Sequence, residues 1–199
     1  MTEDAARQPP PPAATPKSRA ALVPEAAAVA ATVLCVWLMG NEDVLGWPVG
    51  IAGAVLYGIV FFRARLFSDV LLQGFFLVTS VIGWIQWTPE PSGDTLAIAH
   101  IALVPALVWG ATAAASIATL GFCMGRYARA ALPYWDATIT VLSVVAQCFL
   151  VVKIVEAWVL WIAVDALMIG VARARGLTLT CVLYAVLLAN AVKGLVQWL

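Results

Sequence analysis

The chain has 199 residues, of which 63% are hydrophobic and 11% charged, and its formal net charge is zero. Soluble domains are typically about 45–50% apolar and about 25% charged, so this composition excludes an ordinary soluble domain and predicts an integral membrane protein. The balanced charge gives no indication of nucleic-acid binding. The four cysteines are dispersed and there is one histidine, so no metal site, cofactor or disulfide framework is expected.

Residues 1–21 are predicted to form a disordered, proline-rich tail. They include the run Pro9–Pro12 and the basic residues Arg7, Lys17 and Arg19, a composition typical of polyproline-like segments. The basic residues are not followed closely by a short apolar core and a small-residue cleavage site, so the tail is not a signal peptide.

Seven apolar segments follow the tail, each close to the roughly 20 residues that a membrane-spanning helix needs. We place them at about 22–40, 44–62, 67–87, 95–121, 133–152, 156–172 and 177–198. Pro105 is a position at which the fourth segment could kink. The predicted fold class is therefore an all-α integral membrane protein with seven transmembrane helices.

The basic residues indicate how the spans are oriented. Nine of the eleven fall on the side of the N-terminus: Arg7, Lys17, Arg19, Arg63, Arg65, Arg126, Arg129, Arg173 and Arg175. The opposite side carries acidic residues: Glu42, Asp43, Glu90, Asp94 and Glu156. Because basic loops remain in the cytoplasm, the N-terminus is predicted to be cytoplasmic and, with seven spans, the C-terminus extracytoplasmic.

An internal repeat organises the spans. Residues 47–87 align with 158–198 at a constant offset of 111, pairing Trp47 with Trp158, Gly83 with Gly194 and Trp87 with Trp198. Repeats that start four spans apart have the same membrane orientation, which is a plan used by transporters. We therefore expect parallel 3+1+3 repeats, with the first three-helix repeat at 22–87, a linker helix and its flanking loops at 88–132, and the second repeat at 133–199.

One face of the sixth span is the clearest candidate binding site. Trp158, Trp161 and Asp165 are spaced i, i+3 and i+7, which places them within roughly 60° of one another on a helix. A carboxylate inside a membrane costs at least about 2.5–3.5 kcal/mol, so it normally faces a cavity or a partner. Two interpretations are open: a site for a flat, polar solute, or a packing carboxylate beside two structural tryptophans.

Several short motifs in the chain resemble those of a known family. They are Trp47-Pro-Val-Gly50, Leu66-Phe-Ser-Asp69, Gly83-Trp-Ile-Gln-Trp87 and Glu156-Ala-Trp-Val-Leu-Trp161 with Asp165. Over about residues 35–199 the chain resembles the PnuC-type nicotinamide riboside transporters, a family similar in architecture to the SWEET sugar transporters.

The resemblance implies a function and a location. It implies a homotrimer in the bacterial inner membrane that carries nicotinamide riboside, a precursor for NAD biosynthesis, by facilitated diffusion, after which a separate kinase traps the solute. Trp158 and Trp161 match the family's Trp-x-x-Trp motif and would stack on the solute ring. Cation–π attraction to a pyridinium would contribute about 0.5–2 kcal/mol for each good contact.

Further polar and aromatic side chains are candidate solute ligands. Gln147 and Asn190 lie well inside their spans, where a buried amide needs a partner, and either interhelical hydrogen bonding or solute binding would supply one. The third span adds Gln73, Gln86 and Trp84. Trp84 near the outer end could equally be an interfacial anchor, and Asp69 and Asp136 could equally cap their helices.

Alternative functions differ in their sequence requirements. A transporter of the same plan for another vitamin, a nucleoside or a sugar remains open, with or without proton coupling at Asp165. A membrane enzyme is not expected, because the sequence contains neither HExxH nor GxSxG and has no paired catalytic carboxylates on one segment.

The predicted orientation is testable at the C-terminus. A reporter that is active only in the cytoplasm, fused after Leu199, should give no signal, because seven spans from a cytoplasmic N-terminus end outside. The same reporter after Arg126 is the positive control. Strong signal from the Leu199 fusion would show that the number of spans is even.

Overall fold

The structure is a computed structural model that describes residues 19–63, 65, 67–89, 95–127, 132–174 and 176–199, with the backbone alone for 19–25 and 67–68. These residues form seven helices: α1 (Arg19–Gly40), α2 (Gly46–Arg63), α3 (Phe67–Trp87), α4 (Leu103–Arg126), α5 (Pro133–Val151), α6 (Glu156–Ala174) and α7 (Thr178–Trp198). Helices α2 to α7 are long and apolar enough to cross a membrane, and the apolar part of α1, Ala26–Gly40, is shorter. The predicted all-helical membrane class is confirmed. Residues 1–18 of the predicted tail lie outside the described residues.

The fourth helix differs from its predicted bounds. It begins at Leu103 rather than at 95 and ends at Arg126. Residues 95–102 are instead an extended segment, called here the linker strap, in which Ala99 forms a bridge to Ile154. Because this strand-like segment is apolar like the helix that follows, hydropathy alone does not distinguish the two. Pro105 therefore lies in the first turn of α4, where its missing N–H group is no loss, rather than at a kink in the helix interior.

The helices pack in two sequential groups joined along two seams. α1 packs on α2 and α2 on α3, while α5 packs on α6 and α6 on α7. Contacts of α1 with α7 and of α3 with α5 join the two groups. Among the described helices, α4 packs on α5 alone, and most of its side chains are exposed, as expected of a helix that faces lipid.

Four tryptophans form the centre of the core at one end of the bundle; we call them the tryptophan quartet. Trp47 and Trp158 are completely buried, and Trp87 and Trp198 nearly so. Trp87 packs edge-on against Trp47 with ring centroids 5.1 Å apart, and Trp198 packs edge-on against Trp158 at 5.4 Å. Trp87 and Trp198 meet at 5.7 Å, so the rings form a continuous chain through α2, α3, α7 and α6.

Helix ends and backbone conformations coincide at the offset of 111. α1 and α5 end at Gly40 and Val151, α2 and α6 end at Arg63 and Ala174, and α3 and α7 correspond at both ends. The positive-φ residues also fall 111 apart: Glu42 (φ 55°) with Lys153 (φ 52°), and Arg65 (φ 58°) with Gly176 (φ 69°). Non-glycine residues seldom adopt positive φ, so the two turns of each group have the same geometry.

Two glycines at the same offset determine how the quartet packs. A Cβ atom on Gly194 would lie 2.8 Å from Cδ2 of Trp158, and one on Gly83 would overlap the ring of Trp47. Each indole therefore lies directly against the backbone of a neighbouring helix.

The packing of the quartet predicts that alanine substitutions at two glycines of α3 have different effects on stability. Gly83→Ala should lower the free energy of unfolding by about 1–3 kcal/mol, because an added methyl group overpacks a filled core. Gly74→Ala is the matched control, since nothing lies within 4 Å of a Cβ there. Thermal unfolding in detergent would measure both; equal midpoints for the two variants would contradict the close packing at Gly83.

Candidate functional site

The three predicted residues of α6 have different surroundings. Trp158 is 1% exposed, within the quartet. Its ring contacts the backbone of Gly194, and its indole N–H has no hydrogen-bond partner among the described residues. The structure thus places Trp158 in the core at the end of the bundle, where both ring faces are already covered.

Trp161 and Asp165 lie deeper along α6. Trp161 is half-buried, and its ring centroid is 6.3 Å from that of Phe76 on α3, with the rings inclined at 40°. Asp165 follows one turn later, about 14 Å from the start of α6 at 1.5 Å per residue. Asp165 is buried, with 5% exposure. A buried carboxylate midway along α6 and an adjacent ring between α6 and α3 are the centre of the candidate site.

Two predicted amides lie on helices that flank α6, with Asn190 near the depth of Asp165 and Gln147 closer to the quartet. Gln147 on α5 is buried, about 6 Å from the end of its helix. Asn190 on α7 is half-buried, about 12 Å from the end of its helix. In the part of the chain that the structure describes, no hydrogen bond of either amide is found, so both retain donors and acceptors for a polar solute.

The candidates on α3 are distributed over the length of the helix. Gln73 is half-buried and faces α2, where its Cβ lies 3.9 Å from the position that a Cβ on Gly58 would take. Trp84 is 44% exposed, and Gln86 is exposed as well. The structure therefore does not bring Trp84 and Gln86 together with Asp165; they lie on the outer surface near the end of α3.

One tyrosine missing from the sequence-based set, Tyr184, lies near the carboxylate. The hydroxyl group of Tyr184 on α7 lies within electrostatic range of Asp165, Asp69 and Tyr57, and Asp69 lies within range of Asp136. The repeat offers the one signal that could have identified Tyr184, because it pairs that residue with Gln73. The carboxylates of Asp69 and Asp136 lie near the first turns of α3 and α5, at the end of the bundle opposite the quartet.

The charge pattern limits what this arrangement can bind. Asp165 is the one charged residue in the central turns of α2 to α7, so no Lys or Arg side chain belongs to that depth. Among the described residues no three His, Cys, Asp or Glu side chains are grouped as metal ligands. Together, the side chains of the candidate site can stack on a flat ring, attract a cation and hydrogen-bond to hydroxyls or an amide.

These observations define a multi-pass helical membrane protein with a polar site in the membrane interior, as solute transporters have. A family model described as nicotinamide mononucleotide transporter matches residues 22–199. The chain belongs to this family, which confirms the resemblance stated above. It is a transporter, not an enzyme.

Its relatives are bacterial, and they agree with a multi-pass protein of the bacterial inner membrane. The nicotinamide riboside transporter PnuC of Escherichia coli K12 is 27% identical over 201 residues, covering 88% of this chain and 84% of that protein. The transporter of the same name from Neisseria mucosa is 27% identical over 186 residues, covering 86% and 71%. A crystal structure of the vitamin B3 transporter PnuC has the same fold, with a TM-score of 0.71, 21% identity, and coverage of 88% of this chain and 80% of that one.

The two tryptophans of the Trp-x-x-Trp motif should respond differently to truncation. Trp161→Ala should weaken solute binding by about 1–2 kcal/mol through the lost ring contact, with part of the binding kept in Trp161→Phe. Trp158→Ala should instead lower the free energy of unfolding by about 3–5 kcal/mol, as for a buried tryptophan. Calorimetric binding and thermal unfolding separate the effects. A folded Trp161→Ala protein with unchanged affinity would make Trp161 a packing residue.

Proposed function

We propose that this protein carries nicotinamide riboside across the bacterial inner membrane and so supplies NAD biosynthesis. The observation that carries the proposal is the pair Trp161 and Asp165: a half-buried indole one turn from a buried carboxylate that has no basic residue at its depth. A pyridinium ring with a positive charge matches both groups, since the indole attracts the cation through its π face and the carboxylate compensates the charge.

The same charges favour a riboside over a mononucleotide. Nicotinamide riboside carries one positive charge, whereas the mononucleotide adds a phosphate of about −1.5 to −2 at pH 7. Phosphate sites use Arg or Lys donors, and the central turns of α2 to α7 contain neither. Asp165 would repel the phosphate, although the family is described by the mononucleotide.

The proposed ligands follow from the placement of the predicted residues. Trp161 stacks on the pyridinium ring, Asp165 balances its charge, and Gln147 and Asn190 hydrogen-bond to the carboxamide or the ribose. Gln73 and Tyr184 complete the site from α3 and α7. Trp158 supports the site from the quartet.

We further propose facilitated diffusion by alternating access between two parallel three-helix repeats, α1–α3 and α5–α7, with α4 as the linker. The coincidence of helix ends and of positive-φ turns at the offset of 111 supports this 3+1+3 plan. A site between the repeats is reached from either side when one repeat moves against the other. The repeats related in this way give the SWEET-like architecture that the resemblance implies.

The orientation and the assembly belong to the same proposal. Arg63, Arg65, Arg126 and Arg173 lie at the end of the bundle opposite the quartet and are exposed, which supports a cytoplasmic N-terminus and an extracytoplasmic C-terminus. The small residues Ala111, Thr112, Ala115, Ser116 and Thr119 form an exposed stripe on α4. Because small residues permit close helix approach, this stripe supports the proposed homotrimer.

A proton-coupled transporter of the same plan is the second candidate, and the buried position of Asp165 favours it. Its protonation would remove a charge from the membrane interior, which is the usual role of an intramembrane carboxylate in proton relays. Uptake by wild-type vesicles that responds to an imposed pH gradient, with no response in Asp165→Asn, would support coupling. Uptake that ignores the gradient leaves facilitated diffusion.

Thermal stabilisation by ligands tests the proposed substrate. Nicotinamide riboside should raise the melting temperature of the purified protein, because a ligand that binds the native state stabilises it, whereas the mononucleotide and uncharged nicotinamide should have little effect. Asp165→Asn should fold but bind the riboside at least about tenfold more weakly, or about 1.4 kcal/mol. Equal stabilisation by riboside and mononucleotide would refute the charge argument.

A further inference from the structure

An ion pair at the quartet end of the bundle joins two positions that are 111 residues apart. Lys153 Nζ lies 2.9 Å from Oε2 of Glu42 and 4.7 Å from the centroid of the Trp87 ring. The Lys153 side chain is 7% exposed and that of Glu42 is 43% exposed. Each residue occupies the turn that joins the first two helices of its group, α1 to α2 and α5 to α6. The pair therefore spans the boundary between the groups, with its ammonium group buried and its carboxylate partly exposed.

The turn that carries Lys153 is held by the linker strap. The N–H of Ala99 donates to the carbonyl oxygen of Lys153 at 3.0 Å, and the N–H of Val155 donates to that of Ala99 at 2.9 Å. The N–H of Ile101 donates to Oε2 of Glu156 at 3.1 Å. Since the strap leads into α4, and α4 packs on α5, the strap, α4 and this turn form one unit.

Besides the ion pair, three hydrogen bonds of the described residues join the two helix groups at this end. From α3, Trp87 Nε1 donates to the carbonyl oxygen of Val151 at 3.1 Å, and this bond is buried. Lys193 and Gln197 of α7 both donate to Oδ1 of Asn41, at 3.3 and 3.0 Å, and these groups are exposed. Water can replace the exposed bonds at little cost, whereas a buried ammonium that loses its carboxylate is left uncompensated.

The quartet lies beneath the ion pair, and in this closed arrangement three of its indole N–H groups are unpaired among the described residues. The indole N–H groups of Trp47, Trp158 and Trp198 are buried without a hydrogen-bond partner among the described residues. Opening of this end to water would provide partners for them, so the closed arrangement needs a compensating interaction. Lys153, which contacts both Glu42 and the Trp87 ring, is in position to supply it.

We propose that Lys153 and Glu42 form the latch of the gate at the quartet end of the transporter. The gate opens when the turn carrying Glu42 separates from the strap-held turn carrying Lys153, and the quartet then parts between Trp87 and Trp198. This proposal depends on the transport cycle proposed above, but not on which solute is carried.

The latch is tested by the accessibility of a buried position below the quartet. Ser80 is 5% exposed and lies about 10 Å from Trp87 along α3. Ser80→Cys, in a protein whose four native cysteines are replaced by alanine, would be labelled with a membrane-impermeant thiol reagent added from the quartet side. No solute is added, so an incorrect substrate assignment would leave the labelling result unchanged, and a failed latch would leave riboside binding intact.

Three variants of that protein are compared. Glu42→Gln should raise the labelling rate about tenfold, because loss of the pair shifts the population toward the open gate. The double reversal Glu42→Lys with Lys153→Glu should return it to within about twofold of the starting rate, since the offset of 111 places the new lysine beside Trp198 as Lys153 lies beside Trp87. Asp43→Asn is the matched control, because Asp43 caps its own turn through the N–H of Leu45.

The outcomes separate a latch from a purely structural ion pair. Fast labelling in Glu42→Gln together with slow labelling in the reversed pair and in Asp43→Asn supports the latch. Unchanged labelling in Glu42→Gln, or equally fast labelling in the reversed pair, overturns it. If Glu42→Gln does not fold, Lys153→Met replaces it, with the reversed pair again required to restore slow labelling.

Discussion

The close approach of two indole rings to helix backbones is the constraint on which this structure depends. Trp47 lies against Gly83 and Trp158 against Gly194, and no other residue leaves room for the ring at those two positions. Because of these contacts, α2 and α3 are held close together, as are α6 and α7. In a membrane, where lipid is as apolar as the side chains, such packing supplies what hydrophobic burial supplies in water. Trp87 and Trp198 then join the two helix pairs, and the deeper residues are positioned from there.

The depth of Trp161 and Asp165 is a consequence of that packing. Trp158 fixes the start of α6 in the quartet, so the residue three positions later lies beside Phe76 of α3 and the residue seven positions later lies midway along α6. The residues at the corresponding positions of the first repeat are small: Gly50 corresponds to Trp161, and Ala54 corresponds to Asp165. Most of the polar side chains of the candidate site thus come from the second group.

The sequence predicted the helices well because each apolar segment is bounded by charges or turns, and the constant offset of 111 links their ends. It failed at the fourth helix, where the apolar residues 95–102 pair with a turn as an extended strap. It also treated Trp158 and Trp161 as equivalent. Residues that share a helix face can have different neighbours: one ring can lie against the backbone of the next helix and another in the space between helices. Trp158 lies against a backbone because residue 194 is a glycine, and that residue is distant in sequence. Tyr184 and the burial of Lys153 depend on contacts between helices that no local pattern records.

The opposite charges of Glu42 and Lys153 bear on the origin of the chain. In a symmetric dimer of identical three-helix subunits, both positions would be occupied by the same residue, and two glutamates or two lysines would face each other across the axis and repel. Encoding both halves in one polypeptide removes that restriction and allows the two positions to diverge. The ion pair is therefore a feature that an assembly of two identical halves could not have.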